Sequence, residues 1–97
     1  LVTIRIRAVN SQSASTVKVI IDVMLKAEIL DPQGQAIANA LPRMGFSLNP
    51  VSTRQGKRFE FTFDHLPTEV EIAEIKKAAE TLLANPVIET FEIRMEH

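Results

Sequence analysis

The stretch that decides the fold is Val17-Lys18-Val19-Ile20-Ile21-Asp22-Val23-Met24-Leu25-Lys26. Every second residue from Val17 to Leu25 is apolar, whereas the residues between them are mixed in character. Side chains alternate between the two faces of a strand, so this stretch predicts a strand with one strongly apolar face. Helices or a second sheet must cover that face in a stable domain.

The next apolar pattern has helical spacing and follows a good helix start. Asp31-Pro32 offers a favourable N-cap residue and a favourable first helical residue. Gly45 is suited to a left-handed helix end, but Pro42 lacks the backbone donor that the last turn needs. We therefore expect a first helix that ends near Leu41. The residues with helical spacing are Ile37, Ala40, Leu41 and Met44.

A hairpin is predicted after this helix. Asn49 to Arg54 has a weak strand pattern, and Gln55-Gly56 can form a turn. A clear alternation follows, in which Phe59, Phe61 and Phe63 share one face of a strand.

A second helix and a last strand complete the pattern. Thr68 and Glu71 have the spacing of a capping box, and Asn85-Pro86 ends the helix. The predicted buried stripe of this helix is Ile72, Ile75, Ala79 and Leu82. The predicted apolar face of the last strand is Val87, Phe91, Ile93 and Met95.

The element order β-α-β-β-α-β predicts an α+β fold of the ferredoxin-like sandwich type. We expect a four-stranded antiparallel sheet with both helices on one face. Ile20, Met24 and Ile88 then fall on the opposite face among charged residues. Apolar side chains on a face without helices indicate contact with a second copy, so a homodimer is expected and a tetramer is left open.

Composition limits the classes of function. The chain has 97 residues, enough for one small domain, and no cysteine that could form disulfides or thiolate–metal sites. Eleven Lys and Arg balance twelve Asp and Glu, so no broad positive surface is available for nucleic acid or lipid. No apolar run has the length of a membrane span. These features indicate a cytoplasmic domain that binds neither nucleic acid nor membrane.

Residues 1–15 stand apart from residues 16–97, which carry all the patterns above. Val2, Ile4 and Ile6 alternate with polar residues, and Asn10 to Ser15 is polar. We expect residues 1–15 to be an N-terminal extension. Three alternatives are open for this extension: an additional strand, a linker or a segment foreign to the domain. Residues 16–97 are expected to form the single domain.

Candidate reactive residues are few. Neither His65 nor His97 has a nucleophile or a second ligand residue at a suitable spacing, so no catalytic or metal site is predicted. No glycine-rich phosphate loop is present either. The strand around Phe59 partly resembles the aromatic signature of RNA-recognition motifs, but Arg58 stands where that signature needs glycine. An RNA-binding role is therefore disfavoured.

Three junction strings carry a resemblance to a known family. They are Ile29-Leu30-Asp31-Pro32-Gln33-Gly34, Arg54-Gln55-Gly56-Lys57 and Leu82-Leu83-Ala84-Asn85-Pro86-Val87-Ile88-Glu89. In this order and spacing they resemble PurS, the small accessory subunit of phosphoribosylformylglycinamidine synthase. The resemblance covers Val17 to Glu96. Pro42 and the stretch from Phe46 to Thr53 depart from the family pattern.

The resemblance implies a role in purine synthesis. The complex converts formylglycinamide ribonucleotide to formylglycinamidine ribonucleotide, with ammonia from a glutaminase subunit and with ATP and Mg at a large synthetase subunit. The accessory subunit is implied to bridge these two, with no catalysis and no cofactor of its own. The alternative from another class is a small-molecule-binding regulatory domain of ACT type, which shares the strand order.

Six residues of the junction strings are candidate partner contacts: Arg54, Lys57, Asn85, Asp31, Gln33 and Gly34. Arg54 and Lys57 flank a turn, so we expect their charged heads to stay in water and to meet a carboxylate or phosphate of a partner.

Overall fold

The computed structural model describes residues 4–7 and 16–96. Their elements in chain order are β1 (Ile4–Arg7), β2 (Val17–Leu25), α1 (Pro32–Arg43), β3 (Gly56–Phe63), α2 (Glu69–Ala78), a π-helical turn (Ala79–Leu83) and β4 (Glu89–Glu96). The predicted polar linker that ends at Ser15 and the C-terminal His97 lie outside the described residues.

The strands form one sheet in the order β1-β4-β2-β3. β2 pairs antiparallel with β3 on one side and with β4 on the other, whereas β1 pairs parallel with β4. The strand that decides the fold is thus hydrogen-bonded along both edges. The predicted α+β class is confirmed, and three of the four strands are antiparallel as expected.

The predicted hairpin strand over Asn49 to Arg54 is wrong, because these residues form an irregular segment. Pro50 has no backbone donor for a strand ladder. The amide of Gln55 donates to Oδ2 of Asp31 at 2.8 Å instead of to a neighbouring strand. The fourth strand is β1, so the sheet is not wholly antiparallel. Within the described residues, no strand lies beside the outer edge of β3.

The hydrophobic core lies between the sheet and α2. Ile21 of β2 and Ile93 of β4 are directly paired and almost completely buried, and Ile75 and Ala79 cover them from the helix side. The other buried members are Val17, Val19, Val23, Ala84, Phe91 and Met95. The three phenylalanines of β3 pack against this core but are only partly buried.

The N-terminus of α2 (Glu69–Ala78) has the predicted capping box. The amide of Glu71 donates to the hydroxyl of Thr68 at 3.1 Å, and the amide of Thr68 donates to the carboxylate of Glu71 at 2.9 Å. Two of the amides that a helix start leaves unpaired are satisfied in this way.

The buried stripe of α2 shifts at the π-helical turn. The amide of Ala84 donates to the carbonyl of Ala79 at 2.9 Å, which widens the turn by one residue. Leu83 therefore packs against the core, and the predicted Leu82 is exposed. Val87, predicted on the apolar face of the last strand, precedes β4 and is also exposed.

α1 (Pro32–Arg43) continues through Pro42, two residues beyond the predicted end at Leu41. The helix then closes in a Schellman motif, in which the amide of Phe46 donates to the carbonyl of Leu41 at 3.0 Å and the amide of Gly45 donates to that of Pro42 at 3.2 Å. Gly45 has a φ of 89°, which confirms the predicted left-handed helix end.

The prediction that both helices cover one sheet face is wrong for α1 within a single chain. No residue of α1 belongs to the hydrophobic core of the described residues, and Gly34 is the only buried residue of the helix. We call residues 32–55, which comprise α1 and the irregular segment after it, the arm. The arm starts and ends at one end of the sheet, because Met24 of β2 is paired with Gly56 of β3.

Candidate functional site

The three junction strings come together at the end of the sheet from which the arm projects. A cleft of about 400 Å³ lies between them. Val23 and Leu25 of β2 contribute apolar surface, and the strings contribute the polar groups. The lining residues from the strings are Asp31, Pro32, Gln33, Gln55, Gly56, Lys57 and Glu89.

Asp31 ties the start of α1 to the start of β3. Its Oδ2 accepts a hydrogen bond from the amide of Gln55 at 2.8 Å, and its Oδ1 accepts one from the amide of Gly34 at 2.9 Å. These two hydrogen bonds, the one from Gln55 first, hold the pKa of Asp31 below its ordinary value because they favour the charged carboxylate. Asp31 is buried and therefore serves as an internal anchor.

Gly34 is required by a close backbone crossing inside the arm. A Cβ at this position would lie 2.1 Å from the carbonyl oxygen of Thr53 and 2.9 Å from its carbonyl carbon. No side chain tolerates such a contact with backbone atoms. Glycine therefore lets the returning half of the arm lie directly against the first turn of α1.

Arg54 anchors the fold, so the prediction that its charged head stays in water is wrong. Nη1 donates to the carbonyl of Ile29 at 3.0 Å, and Nη2 donates to the carbonyls of Lys26 and Leu25 at 2.9 and 3.4 Å. The planar guanidinium has enough donors to serve several carbonyls at once. Arg54 thus fastens the end of the arm to the turn that follows β2.

Lys57, Glu89 and Asn85 form a second group at the cleft. Nζ of Lys57 lies 3.6 Å from Oε2 of Glu89, and it also lies 5.9 Å from the ring centre of Phe59. The amide of Asn85 donates to Oε1 of Glu89 at 2.7 Å, and Oδ1 of Asn85 accepts from the amide of Val87 at 3.1 Å. Asn85 therefore shapes the turn before β4, whereas half of the Lys57 side chain stays open to solvent.

Gln33 and Gln55 bring the first two strings into contact. Nε2 of Gln55 donates to Oε1 of Gln33, and both side chains are exposed. Gln55 and Glu89 are the polar site residues that were not selected from the sequence. Both lie inside the quoted strings, but their spacing gives no sign that Gln55 reaches Gln33 or that Glu89 faces Lys57.

The sheet face opposite α2 is dominated by charge. Asp22 of β2 lies 3.0 Å from Nε of Arg58 on β3, and it is also paired with Arg94 on β4. Partial burial raises the pKa of Asp22, but the hydrogen bonds from Arg94 and Arg58 outweigh it and hold this pKa below its ordinary value. Such a ladder of opposite charges across three strands stabilises the face without apolar cover.

The three residues predicted to form a dimer face occupy different environments. Ile20 lies on the charged face but is only 1% exposed, so its side chain is already covered within the chain. Met24 is exposed at the end of β2 beside Gly56, and Ile88 is partly buried in the turn before β4. The structure therefore does not bring them together as one exposed apolar patch.

His65, the histidine considered as a candidate reactive residue, is not among the residues that line the cleft. Nδ1 of His65 lies 2.8 Å from Asp64 and Nε2 lies 2.9 Å from Glu71, so the imidazole is part of the N-terminal cap region of α2. Residues 4–7 and 16–96 contain no group of three or more His, Cys, Asp or Glu side chains that could hold a metal ion. In the same residues, no helix combines the length and the apolar character needed to cross a membrane.

The fold and the site define a small α+β module that presents a polar cleft at one end of its sheet. Residues 18–97 match the family model described as PurS, phosphoribosylformylglycinamidine (FGAM) synthase. The phosphoribosylformylglycinamidine synthase subunit PurS of Mycobacterium leprae is 52% identical over 79 residues, which cover 81% of this chain and 95% of the relative.

Solved structures agree with this match. Bacillus subtilis PurS superposes with a TM-score of 0.68 at 36% identity, covering 84% of this chain and 99% of the other. A chain in the structure of PurLQS from Thermotoga maritima gives a TM-score of 0.68 at 32% identity, covering 82% and 96%. The chain belongs to the PurS family and is thus an accessory subunit of phosphoribosylformylglycinamidine synthase. The comparisons give no support to a regulatory domain of ACT type.

Proposed function

We propose that this chain bridges the glutaminase and synthetase subunits of phosphoribosylformylglycinamidine synthase in the cytoplasm and performs no catalysis itself. The observation that carries this proposal is the similarity to a chain of the Thermotoga maritima PurLQS structure. The bridged subunits use glutamine, ATP and Mg to convert formylglycinamide ribonucleotide to formylglycinamidine ribonucleotide.

The exposed polar groups of the cleft are the proposed contact with a partner subunit. Lys57 offers a half-exposed ammonium group, and Gln33 and Gln55 offer uncharged donors and acceptors. Asp31, Gly34 and Arg54 lie beneath this surface, because they hold the two ends of the arm to each other and to the turn after β2. Asn85 acts through the turn that positions Glu89.

A homodimer is part of the proposed function, and a tetramer remains the larger alternative. The finer ferredoxin-like arrangement, with two helices over one sheet, is proposed for the assembled protein, since a single chain supplies one helix to its core. Met24 and Ile88 are the proposed dimer contacts at the cleft end of the sheet, whereas Ile20 is already covered within the chain and offers no surface for a direct contact.

The partner contact can be tested with two matched lysines. Lys57 and Lys18 are each 51% exposed and each pair with one glutamate, but Lys18 is on the opposite face of the sheet. Lys57→Ala is expected to weaken assembly with the other two subunits severalfold, and Lys18→Ala is expected to leave it unchanged. Affinity is measured by titration of each variant into the glutaminase and synthetase subunits.

The same titration reports which partner meets the cleft. If the contact is with the glutaminase, Lys57→Ala lowers glutamine-dependent turnover more than ammonia-dependent turnover. Equal affinity of Lys57→Ala, Lys18→Ala and the unchanged chain would contradict the proposed contact at the cleft.

A further inference from the structure

β1 (Ile4–Arg7) lies outside the part of the chain that the family shares. The family model matches residues 18–97, and the match to Bacillus subtilis PurS covers 99% of that protein with 84% of this chain. A relative that is matched over almost its whole length has too few further residues for a counterpart of β1 and of the segment that joins it to β2. β1 is therefore an addition that distinguishes this chain from that relative.

β1 occupies one edge of the sheet. It pairs parallel with β4, with Ile4 beside Ile93 and Arg7 beside Glu96, on the side of β4 that faces away from β2. The strands of the shared part are β4, β2 and β3, so without β1 the sheet would end at β4 on this side. An open strand edge presents unpaired amides and carbonyls, which form a template for a strand of another chain.

The sequence of β4 is complementary to itself in an antiparallel register centred on Ile93. In this register the two Ile93 residues lie opposite each other, and Phe91 of each copy lies opposite Met95 of the other. All three side chains are buried on the α2 side of the sheet, so the pairing would continue the hydrophobic core from one copy to the next. Glu92 of each copy would lie opposite Arg94 of the other.

The charges around Glu92 favour the same register. Within the chain, Glu92 of β4 is directly paired with Asp22 of β2, and like charges in opposite positions destabilise a sheet. Arg94 of a second copy would place a positive charge beside Glu92 on its other side, where opposite charges stabilise the pairing. This complementarity identifies a second copy of the chain as the strand that fits the open edge of β4.

β1 is incompatible with such a pairing, because it lies beside residues 93–96 of β4. The register centred on Ile93 needs both halves of the edge, since residues 90–92 of one copy pair with residues 94–96 of the other. β1 is also a poor template itself, because it has four residues where β4 has eight, and two of the four are arginines. Short edge strands and charged residues are the usual means by which sheets avoid edge-to-edge association.

We propose that β1 is a built-in cap of the β4 edge, which prevents two copies of this chain from pairing β4 with β4. The capped edge and β3 lie on opposite sides of the central strand β2. The inference goes beyond the proposed homodimer and separates it from the tetramer. With the cap in place a dimer cannot grow through this edge, and without the cap two assemblies join into one of twice the size.

Removal of the cap is the first test. Residues 16–97 correspond to the part of which the solved relative consists, so this shortened chain is expected to fold on its own. Analytical ultracentrifugation compares it with the full-length chain at equal chain concentrations. The shortened chain should form assemblies with twice as many copies. The same number of copies in both assemblies overturns the cap.

A full-length variant repeats the test without a deletion. Parallel pairing uses the amides of alternate residues, so the combined substitutions Arg5→Pro and Ile6→Pro remove at least one amide that β1 directs at β4. This variant should also double the number of copies. The control is Ser11→Pro with Gln12→Pro, which places two prolines between β1 and β2 and should leave the assembly unchanged. Equal behaviour of the two proline variants overturns the cap.

A charge reversal tests the register. In the shortened chain, Glu92→Lys places a lysine opposite Arg94 at both ends of the contact, so the assembly should return to the size of the full-length one. Glu80→Lys is the matched control, because it reverses an exposed glutamate of the π-helical turn and should leave the doubled assembly intact. Doubling that survives Glu92→Lys overturns the pairing of β4 with β4.

The size of the full-length assembly separates the cap from the proposed homodimer. A full-length monomer whose shortened form is a dimer contradicts the homodimer and supports the cap. A full-length dimer whose shortened form is also a dimer supports the homodimer and overturns the cap.

Discussion

The two helices of this chain differ in how their apolar residues are covered. α2 has five charged residues between Glu69 and Ala78, and the apolar stripe of α2 and the following turn is buried in the core through Ile75 and Ala79. α1 has one charged residue and, among residues 4–7 and 16–96, makes no contact with the hydrophobic core, although its apolar residues follow the same helical spacing. The difference shows that α2 is packed within the chain, whereas α1 keeps apolar residues such as Ile37 exposed in a single chain.

The largest expected effect is on the α2 side of this comparison. Ile75→Ala removes a side chain that is only 5% exposed, so it should lower the free energy of unfolding by about 2–5 kcal/mol. Ile37→Ala, on α1, should cost less than about 1 kcal/mol in dilute monomer, and its cost should grow with protein concentration. Urea denaturation at two widely separated protein concentrations measures both. Equal, concentration-independent losses would show that α1 is packed within its own chain.

The base of the arm gives the next largest effect. Gly34→Ala places a Cβ 2.1 Å from a backbone carbonyl oxygen that Arg54 and Gln55 hold in place. The two halves of the arm must separate to admit it, which should cost about 2–3 kcal/mol. Gly45→Ala is the control, because its Cβ meets no atom within 4 Å and only the positive φ is strained, for about 1 kcal/mol. Thermal unfolding of the two variants should rank them in this order.

Arg54 is expected to stabilise the fold, whereas Lys57 is expected to contact a partner subunit. Arg54→Ala leaves three backbone carbonyls without their donor, so it should cost about 1–2 kcal/mol of stability. Lys57→Ala should change stability by less than about 0.5 kcal/mol, because its ion pair with Glu89 is half open to solvent. Urea midpoints of the two variants provide the measurement. A destabilisation by Lys57→Ala as large as that by Arg54→Ala would assign Lys57 to the fold.

Local signals in the sequence predicted the ends of elements well. The capping box of Thr68 and Glu71, the N-cap at Asp31 and the left-handed Gly45 depend on residues within one or two turns, and all three are found. Their geometry is set by neighbours along the chain, so spacing alone reveals it.

Features that depend on distant residues were missed for a physical reason. The strand predicted over Asn49 to Arg54 fails because Gln55 is hydrogen-bonded to Asp31, and the solvated head predicted for Arg54 is instead bonded to carbonyls 25 to 29 residues earlier. Leu82 is displaced from the core by one wide turn. No repeating pattern in the sequence marks any of these features. The sequence therefore located the site strings but not which of their residues are anchors.

The smallest expected effect is on the pH dependence of stability, which should differ between the N-termini of α1 and α2. Hydrogen bonds to Asp64 and then to Glu71 raise the pKa of His65 above its ordinary value, because both carboxylates favour the imidazolium. The N-terminus of α2 therefore gains stability from His65 below about pH 6.5, and this gain is lost as the pH rises through the raised pKa. Asp31, which caps α1, has a lowered pKa, so its contribution is lost only on strong acidification.

Melting temperatures of the unchanged chain and of His65→Gln, measured from pH 5 to pH 8, test this difference. The unchanged chain should be the more stable at pH 5, and its advantage should shrink towards pH 8 because the imidazolium loses its proton. Asp31→Asn should lower the melting temperature by the same amount throughout this range, since its carboxylate stays charged. If the advantage over His65→Gln does not depend on pH, the imidazole stabilises the start of α2 through its hydrogen bonds alone and its charge contributes nothing.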